Sequence, residues 1–273
     1  MVVTDGPRIV RLGVEDAAAG LVLSTEAHWN QTIEDWRFFL SEGFVFGIRD
    51  GARLVASAAL LPYSGNNAWI SMVLVTESHR RRGLATQLVD ACLDTARKSG
   101  LTCWLDATPD GAKVYGPLGF TPTSQLRRLK LAKPGQAAAA ALSAAALDAL
   151  RTRDRRATGL DRGALLSAFA RRPGSRIVSA NGAIALVRDG RAACHIGPLF
   201  ADNTAAALTL VNAIAQSQGG PLLLDAVASQ GAFLDGLTAS GWTIERPFQR
   251  MRLGPATAIA EEMPFAVAGP EFG

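Results

Sequence analysis

The period of the apolar positions changes several times along the chain, and each change marks an element. Residues 69–75, Trp-Ile-Ser-Met-Val-Leu-Val, are nearly all β-branched or large and apolar, the composition of a buried strand. From Leu84 onward the apolar positions are 84, 85, 88, 89, 92, 93 and 96, with Gln87, Asp90, Asp94, Arg97 and Lys98 on the opposite side. That spacing predicts an amphipathic helix, and Gly100 supplies its stop. The same reading predicts strands at 9–12, 44–48, 54–61, 68–75, after Gly100 and near 126–131, with helices from Val14 and from Thr32. Further on, 182–187 and 191–200 alternate like a strand pair about the turn Asp189-Gly190, followed by a helix at 203–216 and a strand at 221–227. Helices are expected from the alanine run after Gln136 through Arg172, where Arg171-Arg172-Pro173-Gly174 ends them.

The two halves repeat one another. Leu105-Asp106-Ala107, Gly111-Ala112, Gly119-Phe120 and Arg128-Leu129-Lys130-Leu131 return as Leu224-Asp225-Ala226, Gly231-Ala232, Gly241-Trp242 and Arg250-Met251-Arg252-Leu253. The offset drifts from 119 to 122 residues, a normal insertion across a helix and its turn. The order strand, strand, helix, strand, helix, strand is common to both halves. Lys133-Pro134-Gly135-Gln136 is turn-rich and marks the expected boundary, giving domains 1–132 and 137–254 and a tail at 255–273.

Between the strand 69–75 and the helix from Leu84 lies Arg80-Arg81-Arg82-Gly83-Leu84-Ala85. The first backbone N–H groups of a helix have no internal partner, and the helix dipole adds partial positive charge there. Gly83 and Ala85 keep bulk away from the backbone, and three guanidinium groups add forked donors. The residues fit a pyrophosphate cradle, and also a solvated surface turn. Arg80-x-x-Gly83-x-Ala85, placed after a strand and opening a helix, resembles the acetyl-CoA signature of the GCN5-related N-acetyltransferases, the GNAT superfamily. Val114-Tyr115-Gly116-Pro117-Leu118-Gly119-Phe120 resembles that family's second motif, in the right order and at the usual separation. Thr108 stands where the family often has Asn, and Pro117 is unusual inside a short helix. The resemblance covers nearly the whole chain and implies an α/β (α+β) fold. Two GNAT-like domains in tandem are expected, each a mixed, mostly antiparallel twisted sheet flanked by helices.

The second half has Gly197-Pro198-Leu199-Phe200-Ala201-Asp202-Asn203 where the signature should stand, and Leu234 or Asp235 at the tyrosine position. It lacks the arginine, and Asp202 would repel a pyrophosphate. This half resembles the non-catalytic C-terminal GNAT-like domain of some bacterial acetyltransferases. Only the first half is therefore expected to bind the co-substrate.

Composition narrows the alternatives. The chain has 273 residues and a formal net charge of +4, some of which a polyanionic co-substrate explains without nucleic acid. The densest basic run, Arg151-Thr152-Arg153-Asp154-Arg155-Arg156, lacks interleaved aromatics and reads as a solvated helix end. No charged, apolar leader opens the chain and no apolar tract reaches bilayer length, so a cytoplasmic protein without membrane contact is expected. Cys92, Cys103 and Cys194 are scattered in apolar runs, as buried thiols are. Cys194 and His195 read as strand residues, with no metal site implied.

The resemblance implies direct transfer of an acetyl group from acetyl-CoA to a primary amine of a small molecule or peptide. A backbone N–H among Val73, Leu74 and Val75 would polarise the thioester carbonyl. Arg80, Arg81, Arg82, Gly83, Leu84, Ala85 and Thr86 would hold the pyrophosphate. Tyr115 would protonate the departing thiolate, or would serve as an aromatic packing residue. Trp29, Asn30 and Gln31, on the loop between the first two helices, suit acceptor recognition, and capping by Asn30 or Thr32 is the alternative. The general base is not assigned: Glu26, Glu77 and Asp106 are the carboxylates within reach of that role, and Asp106 is also a substrate-binding candidate. A catalytically lapsed acetyl-CoA-binding sensor is the other function class the residues allow.

Overall fold

The computed structural model describes residues 8–133, 142–255 and 261–273. The chain forms two compact units, Met1–Leu105 and Asp106–Gly273.

The first unit contains β1 (Ile9–Arg11), α1 (Ala17–Glu26), α2 (Ile33–Glu42), β2 (Phe44–Asp50), β3 (Arg53–Tyr63), β4 (Asn67–Val75) and α3 (Leu84–Lys98). β5 (Thr102–Ala107) crosses the division between the units. The strands run in the order β1-β2-β3-β4-β5, antiparallel up to β4, and α3 makes the crossover to the parallel strand β5. Leu84, Leu88, Val89, Cys92, Leu93 and Ala96 of α3 are buried, the face that the sequence periodicity marks out. α1 and α2 meet through Trp36, which is fully buried and donates its indole N–H to Ser24 Oγ at 3.0 Å. Gly20 permits that approach, since a Cβ there would stand 2.3 Å from the Trp36 ring.

The second unit contains α4 (Pro109–Tyr115), β6 (Thr121–Leu131), β7 (Ser143–Ala144), α5 (Leu147–Thr158), α6 (Gly163–Ala170), β8 (Arg176–Ala180), β9 (Ala183–Arg188) and β10 (Cys194–Ala201). α7 (Thr204–Ser217), β11 (Leu222–Val227), α8 (Gly231–Ala239) and β12 (Thr243–Leu253) follow. The strand order is β12-β6-β11-β10-β9-β8-β7, with β10 and β11 parallel and the other pairs antiparallel. Its core gathers Leu210, Ile214, Leu224, Phe233 and Trp242, all buried.

The placement of β6 is the main departure from a simple tandem. Both its edges are paired with strands of the second repeat: Arg128 stands opposite Asp225 of β11, and Leu126 opposite Phe248 of β12. The division between compact units accordingly falls at Leu105, ahead of the turn-rich stretch from Lys133.

Three local expectations also change. β6 begins at Thr121 rather than near Leu126, because its first five residues are exposed and carry no apolar signal. Residues 143–144 form a short edge strand rather than helix, and helix begins at Leu147; residues 134–141, with most of the expected turn and alanine run, lie outside the described residues. The segment expected as a tail returns into the sheet, with Phe265, Ala266, Val267, Ala268 and Phe272 buried. Burial also pushes the Cys103 and Cys194 thiols up to about 11.

Candidate active site

In the first unit, β4 prepares the site by breaking its own register. The β3–β4 ladder slips by one residue between the pairs Ala59–Ser71 and Ser57–Leu74, and Met72 takes a positive φ of 52°. Ser57 Oγ donates to the Met72 carbonyl at 2.8 Å, replacing a ladder bond that the bulge removes. The parallel ladder with β5 ends at Trp69–Trp104. Those two indoles stack at 6.0 Å and 5°, and Trp104 Nε1 donates to Asn67 Oδ1 at 2.8 Å. Val73, Leu74 and Val75 therefore follow a bulge at the end of a ladder, where a strand re-aims its backbone groups.

After β4 the chain makes one 3-10 turn, Glu77–His79, and then the basic loop. Arg81 and Gly83 both have positive φ, 62° and 77°, so the loop turns back on itself before Leu84 opens α3. Gly83 is the N-cap of α3, which carries no side-chain cap. A Cβ at Gly83 would meet nothing nearer than Gln87 Nε2 at 4.0 Å, so open space lies over the first turn. Arg80, Arg81, Arg82 and Gly83 are exposed. Arg80 Nε donates to the Val75 carbonyl at 3.3 Å and Arg82 Nη2 to the Ser78 carbonyl at 2.8 Å. Neither bond neutralises a guanidinium charge. The residues fit a pyrophosphate: fixed positive charge, a helix start without a side-chain cap and room above it.

Glu26, at the end of α1, fastens this loop. Its carboxylate accepts from Thr76 Oγ1 at 2.7 Å and from the Glu77 N–H at 2.6 Å, and Arg53 Nη2 lies 3.5 Å away. The backbone and hydroxyl donors, helped by Arg53 and Arg80, hold its pKa below the ordinary carboxylate value. Such a group is a weak proton acceptor and a good anchor.

On the loop after α1, Thr32 is the α2 N-cap, with its N–H donating to Asp35 Oδ2 at 2.8 Å. Asn30 does not take that role. Trp29 and Asn30 are half-buried, while Gln31 is buried and its Oε1 has no hydrogen-bond partner. Ser71 Oγ, beside the bulge in β4, is buried and unpartnered as well. Ser71 is a lone polar residue in an apolar strand run, which is its signal in the sequence. The Glu26 clamp had no such signal, since its partners are fifty residues away.

In the second unit, Tyr115 is the last residue of α4 and is half-buried, with its ring edge-on to Phe120 at 5.8 Å. Thr108 caps α4 by accepting from the Gly111 N–H at 3.2 Å. A Cβ at Gly111 would press on Tyr115 Cε2 at 3.2 Å, so the glycine makes room for the ring. Pro117 lies in a separate 3-10 turn, Gly116–Leu118, which removes its conflict with the helix.

Asp106 is saturated. Arg250 Nε and Nη2 each donate to one of its oxygens at 2.8 Å, and the carboxylate is fully buried. Burial raises its pKa, with Arg250 opposing. Asp225, its counterpart in the repeat, is held the same way by Arg128 at 2.8 and 2.9 Å. Each aspartate thus takes its arginine from the other repeat. Asp225 also accepts from His195 Nε2 at 3.0 Å, and Arg188 Nη1 meets His195 Nδ1 at 2.5 Å. Burial and Arg188 lower the His195 pKa to about 4, so the ring is neutral, its Nε2 donating and its Nδ1 accepting. Burial alone would raise the Asp225 pKa; Arg128 and His195 outweigh it and hold the pKa well below the ordinary range.

The remaining basic run is matched by local carboxylates. Arg153 pairs with Asp202 and Glu262, Arg155 with Asp161, and Arg156 with Glu261. Among the described residues no cluster of three or more His, Cys, Asp or Glu could hold a metal ion, and no helix is long and apolar enough to cross a membrane.

Comparison with known proteins gives the same architecture. The acetyltransferase (GNAT) family profile matches residues 16–120, and an acetyltransferase (GNAT) domain profile matches residues 150–266. No curated protein matches the sequence. A candidate acetyltransferase of Pyrococcus horikoshii superposes with a TM-score of 0.83 at 20% identity, covering 100% of this chain and 98% of its own. A tandem GNAT protein from the clavulanic acid biosynthesis pathway gives 0.64 at 16% identity, covering 92% and 99%. A GCN5-related N-acetyltransferase from Sphaerobacter thermophilus gives 0.63 at 14% identity, covering 93% and 98%. With a strand–basic loop–helix site in one repeat and the matching strand and helix order in the other, the chain belongs to the GNAT superfamily as a tandem GNAT protein.

Proposed function

We propose that the protein is an acetyl-CoA-dependent N-acetyltransferase whose first repeat, within 1–132, binds the co-substrate. The observation that carries this reading is the loop Arg80–Gly83, whose unneutralised arginines and left-handed glycine stand at an uncapped helix start. Arg80, Arg81, Arg82 and the amides from Gly83 to Thr86 are assigned the pyrophosphate, and Glu26 holds the loop in position.

The reaction forms a C–N bond between the acceptor nitrogen and the acetyl carbonyl carbon and breaks the C–S bond. Backbone N–H groups among Val73, Leu74 and Val75 would stabilise the negative charge that gathers on the carbonyl oxygen. The thiolate leaves with the bonding electrons and takes the phenolic proton of Tyr115, a transfer between groups of similar ordinary pKa; the neutral amine attacks, and the proton its nitrogen sheds on forming the amide passes to water, from which Tyr115 is reprotonated. Trp29, Asn30 and Gln31 are assigned to the acceptor, with the unpartnered Gln31 Oε1 free to accept from an ammonium. Asp106 is assigned to holding Arg250 rather than to proton transfer. The second repeat, 137–254, binds no acetyl-CoA in this reading, because 197–203 replace the signature and Asp202 sits among them.

The test follows free CoA released from acetyl-CoA across a panel of primary amines. Amine-dependent release supports the proposal; tight acetyl-CoA binding without release for any amine favours the sensor.

A further inference from the structure

In the second unit β10 and β11 pair in parallel at only two steps, Cys194–Leu222 and His195–Leu223, and then separate. The gap between them is filled by the chain itself. The Leu199 N–H donates to the Ala266 carbonyl at 2.9 Å, and the Phe265 N–H donates to the Leu199 carbonyl at 2.9 Å. On the other side, the Val227 N–H donates to the Phe265 carbonyl at 3.0 Å and the Val267 N–H to the Asp225 carbonyl at 3.0 Å. Ala266 thereby bridges Leu199 of β10 and Ala226 of β11, antiparallel to both.

We infer that the β10–β11 gap is a strand-accepting peptide groove, and that residues 265–268 are its resident ligand, an uncharged extended peptide that closes the second repeat to acyl carriers. The main-chain bonds on both edges supply register, as in other cases of strand addition. Side chains supply selectivity. Phe265 packs edge-on to Phe233 at 5.2 Å, and Val267 joins Leu126, Val227 and Phe248. Beyond the groove the segment is anchored by Phe272, edge-on to Phe169 at 4.9 Å, and by Arg162, which donates to the Phe272 carbonyl at 3.2 Å and to Gly273 O.

The groove is shaped for this occupant at Gly197. A Cβ there would fall 2.1 Å from the Val267 carbonyl oxygen, which no side-chain adjustment can relieve. The internal repeat says what the groove descends from. The two ladder steps of β10–β11 match Ala68–Cys103 and Trp69–Trp104 in β4–β5, and under that alignment Leu199 corresponds to Val73. The first repeat is proposed to aim its strand amide at an acyl carbonyl; the second aims the equivalent amide at the Ala266 carbonyl. This last comparison, and the exclusion of acyl carriers, rest on the proposed function. The groove and its occupant stand on the second unit alone.

The test uses the full chain with a protease site inserted at 256–260, cut after folding. The released piece is expected to stay bound through gel filtration, with amide exchange at Leu199 and Val227 as slow as in the uncut chain. Gly197→Ala in the same cut chain should speed exchange at those two amides by at least tenfold. The synthetic peptide 263–273, isotopically labelled and in excess, should replace the piece at one per chain. Loss of the piece on cutting with no change at Leu199 and Val227 overturns the inference, as does retention that Gly197→Ala does not weaken. Acetyl-CoA stoichiometry is measured separately. One per uncut chain is expected, two would show the groove open, and none would defeat the proposed function while leaving the peptide readout intact.

Discussion

Gly83→Asp separates what the basic loop does for folding from what it does for binding. In the free protein the substitution is nearly neutral by opposing effects. A residue other than glycine at a φ of 77° costs about 1 kcal/mol, and aspartate is among those that tolerate that region best. A carboxylate at a helix N-terminus returns about 0.3–1 kcal/mol through the dipole. No steric term adds to the cost, because the nearest atom to a Cβ is Gln87 Nε2 at 4.0 Å. Folding stability should therefore fall by less than about 1 kcal/mol, a Tm loss of about 4–8 °C at most for a unit of about a hundred residues. Binding is a different matter. A unit charge some 4 Å from a phosphate charge repels it by about 4 kcal/mol at the effective dielectric of a protein surface, and mobile ions reduce this. A net loss of about 2–3 kcal/mol corresponds to acetyl-CoA affinity lower by roughly 30- to 150-fold. Calorimetric titration and a thermal melt on the same preparation check both halves. Unchanged affinity in a folded variant would refute the pyrophosphate assignment, and a Tm loss above 10 °C would make the glycine primarily structural.

Tyr115→Phe keeps the ring against Phe120 and removes the proton, so kcat should fall roughly 100-fold with acetyl-CoA affinity nearly intact; turnover within about threefold of wild type across pH would leave only a packing role. Asp106→Asn strands the Arg250 guanidinium and should cost about 3–5 kcal/mol of stability, seen in denaturant melts, with kcat per folded molecule unchanged. A hundredfold loss of kcat at unchanged stability would instead make Asp106 the proton acceptor. The His195 pKa near 4 in the folded chain, against about 6.5 unfolded, means that the unfolded state takes up the proton first as pH falls. Stability of the second unit should accordingly decline by roughly 3 kcal/mol between pH 6.5 and 4, and a flat stability profile there would contradict the neutral, buried ring.

Local pattern carried the reading of the first unit well. The buried stripe of α3 falls on the positions that its period marks, and the glycine and arginines of the loop stand between strand and helix as their spacing requires. Features that depend on partners distant in sequence were not legible. Nothing around Glu26 announces Thr76 and Glu77 as its donors, and nothing around Asp106 announces Arg250. Repeat matching found both aspartates and both arginines but paired none of them. The exchange of β6 and β12 partners is a fact of topology, which short-range periodicity does not encode. The segment 265–268 is short, apolar and flanked by proline and glycine, so its sequence resembles a loose end as much as a strand.

The insertion of β6 between β11 and β12 has a consequence for how the chain is made. At ordinary synthesis rates β6 emerges from the ribosome about ten seconds before the strands that flank it exist. During that wait a long strand with two open edges must stay out of contact with other nascent chains. Its exposed opening residues, Thr121-Pro122-Thr123-Ser124-Gln125, are polar and interrupted by proline, which suits an edge that has to remain unpaired for a time. A gene fragment ending shortly after Lys133 would leave that wait permanent. Neither repeat made alone supplies β6 together with both of its neighbours.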